Sequence, residues 1–251
     1  MNEEAVGGWH AVLALLERSP ERVLSIRLDR ARKGERRTQL LKAARTAGIA
    51  IEEVNADALD RLAGNNNHQG VVARCKAAAE LNESDLKHFL TELPGKALLL
   101  VLDGIQDPHN LGACLRSADA AGAQAVILPR DNSSPITPVV RKVASGAAET
   151  LPVFQVTNLA RVLDELKAAG VWLAGAAGEA EQELYDLDMR GPTALVLGAE
   201  GTGLRRLTRD KCDYLVRIPM AGTVESLNVS VAAGICLFEA VRQRRKGLSK
   251  S

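Results

Sequence analysis

Aromatic side chains make up only 3% of this 251-residue sequence, so any core must be packed from aliphatic residues. Cysteine is as sparse. Cys75, Cys114, Cys212 and Cys236 lie far apart with no Cys-x-x-Cys pair, which speaks against a zinc site or a disulfide framework and predicts a reduced, cytoplasmic setting. No run of about 18 apolar residues occurs, and Met1–Gly8 is acidic without a long apolar segment. A soluble protein with no membrane partner is expected. A net charge of +1 is little for a dedicated nucleic-acid binder, which usually shows a strong basic excess. Two common nucleotide signatures are missing as well: no Gly-x-Gly-x-x-Gly follows a predicted strand with an acid about twenty residues on, and there is no Gly-x-x-x-x-Gly-Lys-Ser/Thr. Ordinary dinucleotide and nucleoside-triphosphate sites are therefore not expected.

What is present is ample apolar content, 46%, for one large or two small packed domains. Charge is unevenly spread: residues 1–77 carry 13 Lys/Arg against 10 Asp/Glu, and the excess gathers at Arg30, Arg32, Lys33, Arg36 and Arg37. Such a cluster is either a solvated loop or a patch that meets phosphates. Patterning predicts a helix at 9–18, a strand at 23–28, a helix at 38–47, a strand at 49–54, a helix at 57–62 and a strand at 71–75, a small α/β unit. Before its last strand lies the turn-rich Gly64-Asn-Asn-Asn-His68-Gln69-Gly70; His68 either contacts a nucleotide or is simply exposed. Residues 78–95 read as a linker holding one amphipathic helix, 84–93, capped by Ser84 or Asn82. From 96 to 251 strands and helices alternate, which argues for a mostly parallel sheet. This part includes a strand at 97–102, a helix from about Asn110, and helices at 138–148 and 158–169. The helix at 227–241 has Leu227, Val231, Ile235, Phe238 and Val241 at helical spacing, a stripe that is either core or a dimer seam. The basic tail Arg242, Arg244, Arg245, Lys246 is either a solvated end or a nucleic-acid contact.

Chemistry is best sought at two glycine-rich loops that each follow an apolar run, because ligands of open α/β sheets collect at the loops leaving strand C-terminal ends. The first is Leu197-Gly198-Ala-Glu200-Gly-Thr-Gly-Leu204. The second is Ile218-Pro-Met-Ala-Gly222-Thr-Val-Glu225-Ser226-Leu227-Asn228-Val-Ser230. Ser226 and Asn228 at a helix start would offer hydroxyl, amide and free N–H groups to a polar or anionic ligand. Glycines there would let the backbone approach a ligand closely. Asn110, Ser226, Arg116 and Glu200 also have plain structural readings as helix caps, ion-pair partners or loop supports.

Together with Asp107-Pro-His-Asn110-Leu-Gly-Ala-Cys-Leu-Arg116, these loops form three ordered motifs that resemble those of the SpoU/TrmH branch of the SPOUT RNA 2′-O-methyltransferases. The resemblance spans nearly the whole chain, since the first unit with His68-Gln69-Gly70 is similar to that branch's N-terminal, ribosomal-protein-like substrate-binding domain. It implies an α/β fold with an RNA-binding domain at 1–77, a linker at 78–95 and a SPOUT catalytic domain with a trefoil knot at 96–251. It also implies an S-adenosylmethionine donor, no metal, and a homodimer with active sites at the interface. By the same carry-over Gly198, Ile218 and Leu227 contact the cofactor, while Asn110, Arg116, Glu200, Ser226 and Asn228 form the catalytic cluster. The implied substrate is a guanosine ribose in the peptidyl-transferase P-loop of 23S rRNA, or a large-subunit assembly precursor. A tRNA 2′-O-methyltransferase and a non-catalytic ribosome-assembly factor are the alternatives. Glu225 departs from the pattern by placing a negative charge where a small residue is expected.

Overall fold

The computed structural model describes residues 3–63, 68–78, 80–93 and 95–246; residues 64–67 of the turn-rich segment and the side chain of Lys246 lie outside this description. The chain divides into two compact units, Met1–Ala79 with Ser145–Thr150, and Glu80–Ala144 with Leu151–Ser251.

The first unit runs β1 (Glu3–Gly7), α1 (Trp9–Arg18), β2 (Val23–Asp29), α2 (Glu35–Ala47), β3 (Ile51–Val54), α3 (Ala56–Ala63) and β4 (Val71–Lys76). Its sheet has the order β1-β4-β2-β3, with β2 parallel to β3 and antiparallel to β4. The edge strand β1, antiparallel to β4, was not expected from the sequence. Only Val6 of it is buried, so Glu-Glu-Ala-Val-Gly carries no apolar alternation. Trp9, Val12, Leu15, Ile26, Leu28 and Leu40 form the core. His68 is neither exposed nor free for a nucleotide. It is 7% exposed, its Nδ1 accepts from Gly70 N–H at 3.0 Å, and its Nε2 lies 2.9 Å from Asp60 Oδ1. Because Nδ1 is an acceptor, the ring proton sits on Nε2 and points at the carboxylate. Trp9 Nε1 donates to the neighbouring Gln69 carbonyl at 2.9 Å, so the turn is stapled from both sides.

The basic cluster is mixed. Arg37 pairs with Glu53, and Arg30 donates to the Glu53 carbonyl at 3.2 Å. Lys33 and Arg36 are exposed and without partners among the described residues.

After α4 (Glu83–Thr91) come β5 (Leu98–Asp103), α5 (Pro108–Ala120), β6 (Ala125–Pro129), α6 (Pro138–Ala144), α7 (Ala147–Thr150), β7 (Val153–Val156), α8 (Leu159–Ala168), β8 (Trp172–Ala176), β9 (Gln182–Glu183), β10 (Thr193–Gly198), α9 (Arg206–Lys211), β11 (Tyr214–Arg217) and α10 (Val229–Lys246). Seven parallel strands form the second sheet in the order β7-β6-β5-β10-β8-β11-β9. The strands β5, β6 and β10 are buried almost throughout, which is why they read as continuous apolar runs.

Three expectations change. The segment 78–95 is not all tether: Leu86 of α4 is buried in the second unit's core, and Phe89, Leu90 and Leu93 pack against it. Asn82, not Ser84, caps this helix, in a capping box with Asp85. The helix expected at 138–148 splits, because Ser145 and Gly146 have φ of 55° and 100° and the left-handed region ends a right-handed helix. On α10, of the two readings of the stripe, core gives way. Val231 and Phe238 are 50% and 49% exposed, while Val229, Ala233, Cys236, Leu237 and Ala240 face inward. Small residues suit that inner face because α10 packs against α5 and β10.

Glu83, in the first turn of α4, ties the helix to the turn after β7. It accepts from the Thr157 hydroxyl at 2.7 Å and from the Thr157 and Asn158 N–H groups at 2.8 and 3.0 Å, and it pairs with Arg161. Led by the Thr157 hydroxyl, these donors hold its carboxyl at about 2. A depressed carboxyl stabilises the fold fully above its ordinary pKa and loses that contribution as pH falls toward the depressed value. Glu83→Gln is therefore expected to lower Tm by about 3 °C at neutral pH. The gap to the parent chain should narrow on acidification below about 4.5. Melting curves across that range check it, and a gap that does not vary with pH contradicts it.

Candidate active site

The C-terminal ends of β10, β8 and β11 lie side by side next to that of β5, and the loops leaving β10, β8 and β11 build one cleft. Strand β5 ends on Asp103, a carboxylate only 1% exposed. A charge buried so deeply needs a partner. It has one in Arg205, whose backbone N–H donates to Oδ2 at 3.1 Å and whose Nε donates to Oδ1 at 2.6 Å. That pair fixes the far end of the loop leaving β10.

The near end is fixed by Gly198. A Cβ there would lie 2.0 Å from the Gly203 carbonyl carbon and 2.3 Å from Leu204 N, so the returning chain passes directly over this residue. Gly201 and Gly203, with φ of 81° and 67°, make the turn, and Gly203 N–H donates to the Ala199 carbonyl at 2.9 Å. The requirement for glycine at 198 thus comes from the chain's own crossing and not from the close approach of a ligand.

Asp107 caps α5, accepting from His109 N–H at 2.9 Å, and Pro108 occupies the first helical position. The His109 backbone N–H holds the Asp107 carboxyl below the ordinary carboxylate range. Asn110 is therefore not the cap. It sits in the first turn, 9% exposed, with its amide turned toward the loop after β10.

Three side chains from the three motifs meet there. Asn110 Nδ2 donates to Glu200 Oε2 at 3.2 Å; Asn228 Nδ2 donates to Asn110 Oδ1 at 2.9 Å and to Glu200 Oε1 at 3.4 Å. Asn228 Oδ1 accepts from Ser230 N–H at 3.0 Å and from its hydroxyl at 2.6 Å, so Asn228, and not Ser226, serves the start of α10. Its polar atoms are thus occupied within the chain instead of being presented to an anion. Ser226 is exposed, and its hydroxyl has no hydrogen-bond partner among the described residues.

The cleft measures about 820 Å³ and is lined by Ala176–Glu179, Leu197–Gly203, Val216–Met220 and Glu225–Leu227, with Glu183, Val229 and Ala232. Of the residues singled out from sequence, Gly198, Glu200, Ile218, Ser226 and Leu227 line it. Asn110 and Asn228 stand behind Glu200. Arg116 does not join them: it is exposed on α5, lines no part of the cleft, and pairs with neither Glu200 nor Asp119 nor any other described residue. Asp103, Arg205 and the loop after β8 were not singled out. The one sequence signal for them was a carboxylate ending a run of five buried aliphatic residues, Leu98–Leu102.

The lining suits a nucleoside that carries positive charge. Leu197, Ile218, Leu227 and Met220 supply apolar walls, the loop 198–203 supplies backbone with few side chains, and the carboxylates of Glu200 and Glu225 supply negative potential.

Comparison with known proteins identifies the family. Residues 97–238 match the SpoU rRNA Methylase family, and residues 5–81 match the RNA 2′-O ribose methyltransferase substrate binding domain. The chain is 57% identical over 245 residues to the 23S rRNA (guanosine-2′-O-)-methyltransferase RlmB of Shewanella oneidensis, covering 97% of this chain and 98% of that protein. It is 57% identical over 238 residues to the protein of the same name from Ralstonia nicotianae, covering 94% of each. Among solved structures it is similar to the SpoU methyltransferase AviRb from Streptomyces viridochromogenes in complex with the cofactor AdoMet. The TM-score is 0.78 at 28% identity, over 98% of this chain and 92% of that one. With a family match over more than half its length and near-full-length relatives at 57% identity, the chain belongs to the SpoU rRNA methylase family.

Proposed function

We propose that this protein transfers a methyl group from S-adenosylmethionine to the ribose 2′-hydroxyl of a guanosine in 23S rRNA, in the peptidyl-transferase P-loop. The observation that carries the reading is the convergence of Asn110, Glu200 and Asn228 on the wall of a cleft lined by Gly198, Ile218 and Leu227. Near-full-length identity to proteins named for that reaction supports the choice of RNA. The donor supplies a methyl group that is already electrophilic, so no metal is required. The protein's part is to hold a ribose hydroxyl in line and to help its proton leave.

In this reading the backbone of 198–203 and 218–220, with Leu227, receives the adenosine. Glu200 is held by the two asparagine amides and braces the loop after β10 against α5 and the start of α10. Ser226, with its free hydroxyl, faces the incoming ribose. Arg116 binds an RNA phosphate and stabilises the developing alkoxide, while the proton passes to phosphate or water. Arg116 reaches the cleft from a second copy of the chain. Its exposure, its lack of a partner and its absence from this chain's own lining support that assignment. The outward apolar residues Val231 and Phe238 on α10, together with the half-buried Ile235 and Val241, supply the seam of a homodimer. We assign residues 1–77 to RNA binding, with the unpaired Lys33 and Arg36 as phosphate contacts. The catalytic part is 96–251 together with α4, and it carries the family's trefoil knot. That β10 lies between β5 and β8, both earlier in the chain, supports the knot. The setting is the cytoplasm, where ribosomes are assembled.

Two measurements bear on this. Gly198→Ala should abolish detectable binding of S-adenosylmethionine in calorimetry while leaving the far-ultraviolet circular dichroism near that of the parent, because a Cβ must push the loop 199–204 off the strand end. Unaltered affinity would remove the cleft from the reading. With unmodified 23S rRNA and labelled donor, Arg116→Lys should slow methyl transfer by about a hundredfold at unchanged donor affinity, as an ammonium does not reproduce the guanidinium fork. Full activity in that variant, or label mapped to tRNA only, would overturn the assignment.

A further inference from the structure

The cleft is lined by five ionisable side chains, and they are not equivalent. Glu183 pairs with Arg217 at 3.3 Å, and Glu179 pairs with Arg209, so those carboxylates are neutralised within the chain. Glu200 faces no cation among the described residues, but both its oxygens accept from asparagine amides. Glu225 has neither: it is exposed, lines the cleft, and makes no hydrogen bond or ion pair among the described residues. It also stands beside Ser226, in the loop of 221–226 whose residues are all exposed. With no cation or hydrogen-bond donor of the described residues engaging it, this carboxylate presents its full charge to a ligand in the cleft, attenuated only by solvent and salt.

We infer that Glu225 is a specificity-determining residue that makes this cleft prefer the charged methyl donor over the spent product. The inference rests on the proposed use of S-adenosylmethionine. The donor carries a sulfonium cation, whereas the product, S-adenosylhomocysteine, has a neutral thioether at the same position. The two share every other group, so adenosine contacts and the amino-acid end cannot distinguish them. A fixed negative charge in the wall does: it attracts the donor and is indifferent to the thioether, so the product is released more readily than the donor. Glu200 contributes to the same field, but its oxygens are partly engaged by amide donors. Glu225 is the group whose removal changes charge without dismantling a hydrogen-bond network, which separates electrostatic selection from loop structure.

Calorimetry on the full chain with three ligands tests the inference: the donor, the thioether product, and sinefungin, which carries a protonated amine in place of the sulfonium. Glu225→Gln should weaken donor and sinefungin binding about threefold and leave product binding unchanged. Glu225→Lys should weaken the two cations about tenfold, again with the product little affected. Raising ionic strength should narrow the donor-to-product ratio in the parent chain more than in Glu225→Gln. Equal weakening of all three ligands would make Glu225 a loop-supporting residue, and unchanged affinities would leave it outside the cofactor's field; either result overturns the inference. If the parent chain binds none of the three, with or without RNA, it is the cofactor reading itself that fails.

Discussion

Everything at the site depends on the chain crossing itself above Gly198. The peptide between Gly203 and Leu204 lies where any Cβ on Gly198 would be, and that contact sets the height of the loop over the end of β10. A loop of this kind would be free to lift if only its near end were held. Its far end is anchored by Arg205, whose side chain and backbone N–H both bind the buried carboxylate of Asp103. Burying that charge is tolerable only because a guanidinium and an N–H satisfy it together. The neighbouring strands β5 and β10 thus share one fastening at their C-terminal ends, and the position of Glu200 follows from it.

Glu200 then joins three parts of the chain that are remote in sequence. Its two oxygens take amide protons from Asn110 on α5 and from Asn228 at the start of α10, and the asparagines bond to each other. This polar triangle is anchored by Asn110, which is buried and whose amide would be left unsatisfied if it lost its partners. It also orients α10, since Asn228 holds Ser230 with its remaining oxygen. The cleft is therefore a consequence of how the helices are fastened to the sheet. The triangle leaves Ser226, Glu225 and the backbone of the two loops facing the cleft without engaging them.

Much of the fold was legible in the sequence. The strands β5, β6 and β10 are uninterrupted aliphatic runs because they are covered on both faces, and helices between them demand a parallel sheet. Less legible were elements whose stability comes from neighbours. β1 has one buried side chain, β9 has two residues, and α9 is a short, mostly polar turn of helix, so none carries a period of its own. The stripe on α10 left core and seam undivided for a related reason. Large apolar residues at helical spacing look like a core face, but a helix packed closely on α5 and β10 turns alanine, cysteine and glycine inward and leaves valine and phenylalanine outside. His68 misled in the opposite sense, because nothing local announces that Asp60 and the Gly70 N–H will enclose its ring.

By itself, the order and spacing of residues determined the alternation of strands and helices, the places where glycine-rich loops leave the sheet, and membership of the SpoU methylase family. These are local or ordered properties, and they survive without knowledge of which strands become neighbours. Only the tertiary structure decided that Asn110, Glu200 and Asn228 meet, that Gly198 is required by the chain's own return, that Glu225 stands unneutralised while Glu179 and Glu183 are paired, and that Arg116 stands apart from the cleft of its own chain. The reason is that hydrogen bonds and charges act over a few ångströms in space, and β10 brings together residues about a hundred positions apart only by taking its place between β5 and β8.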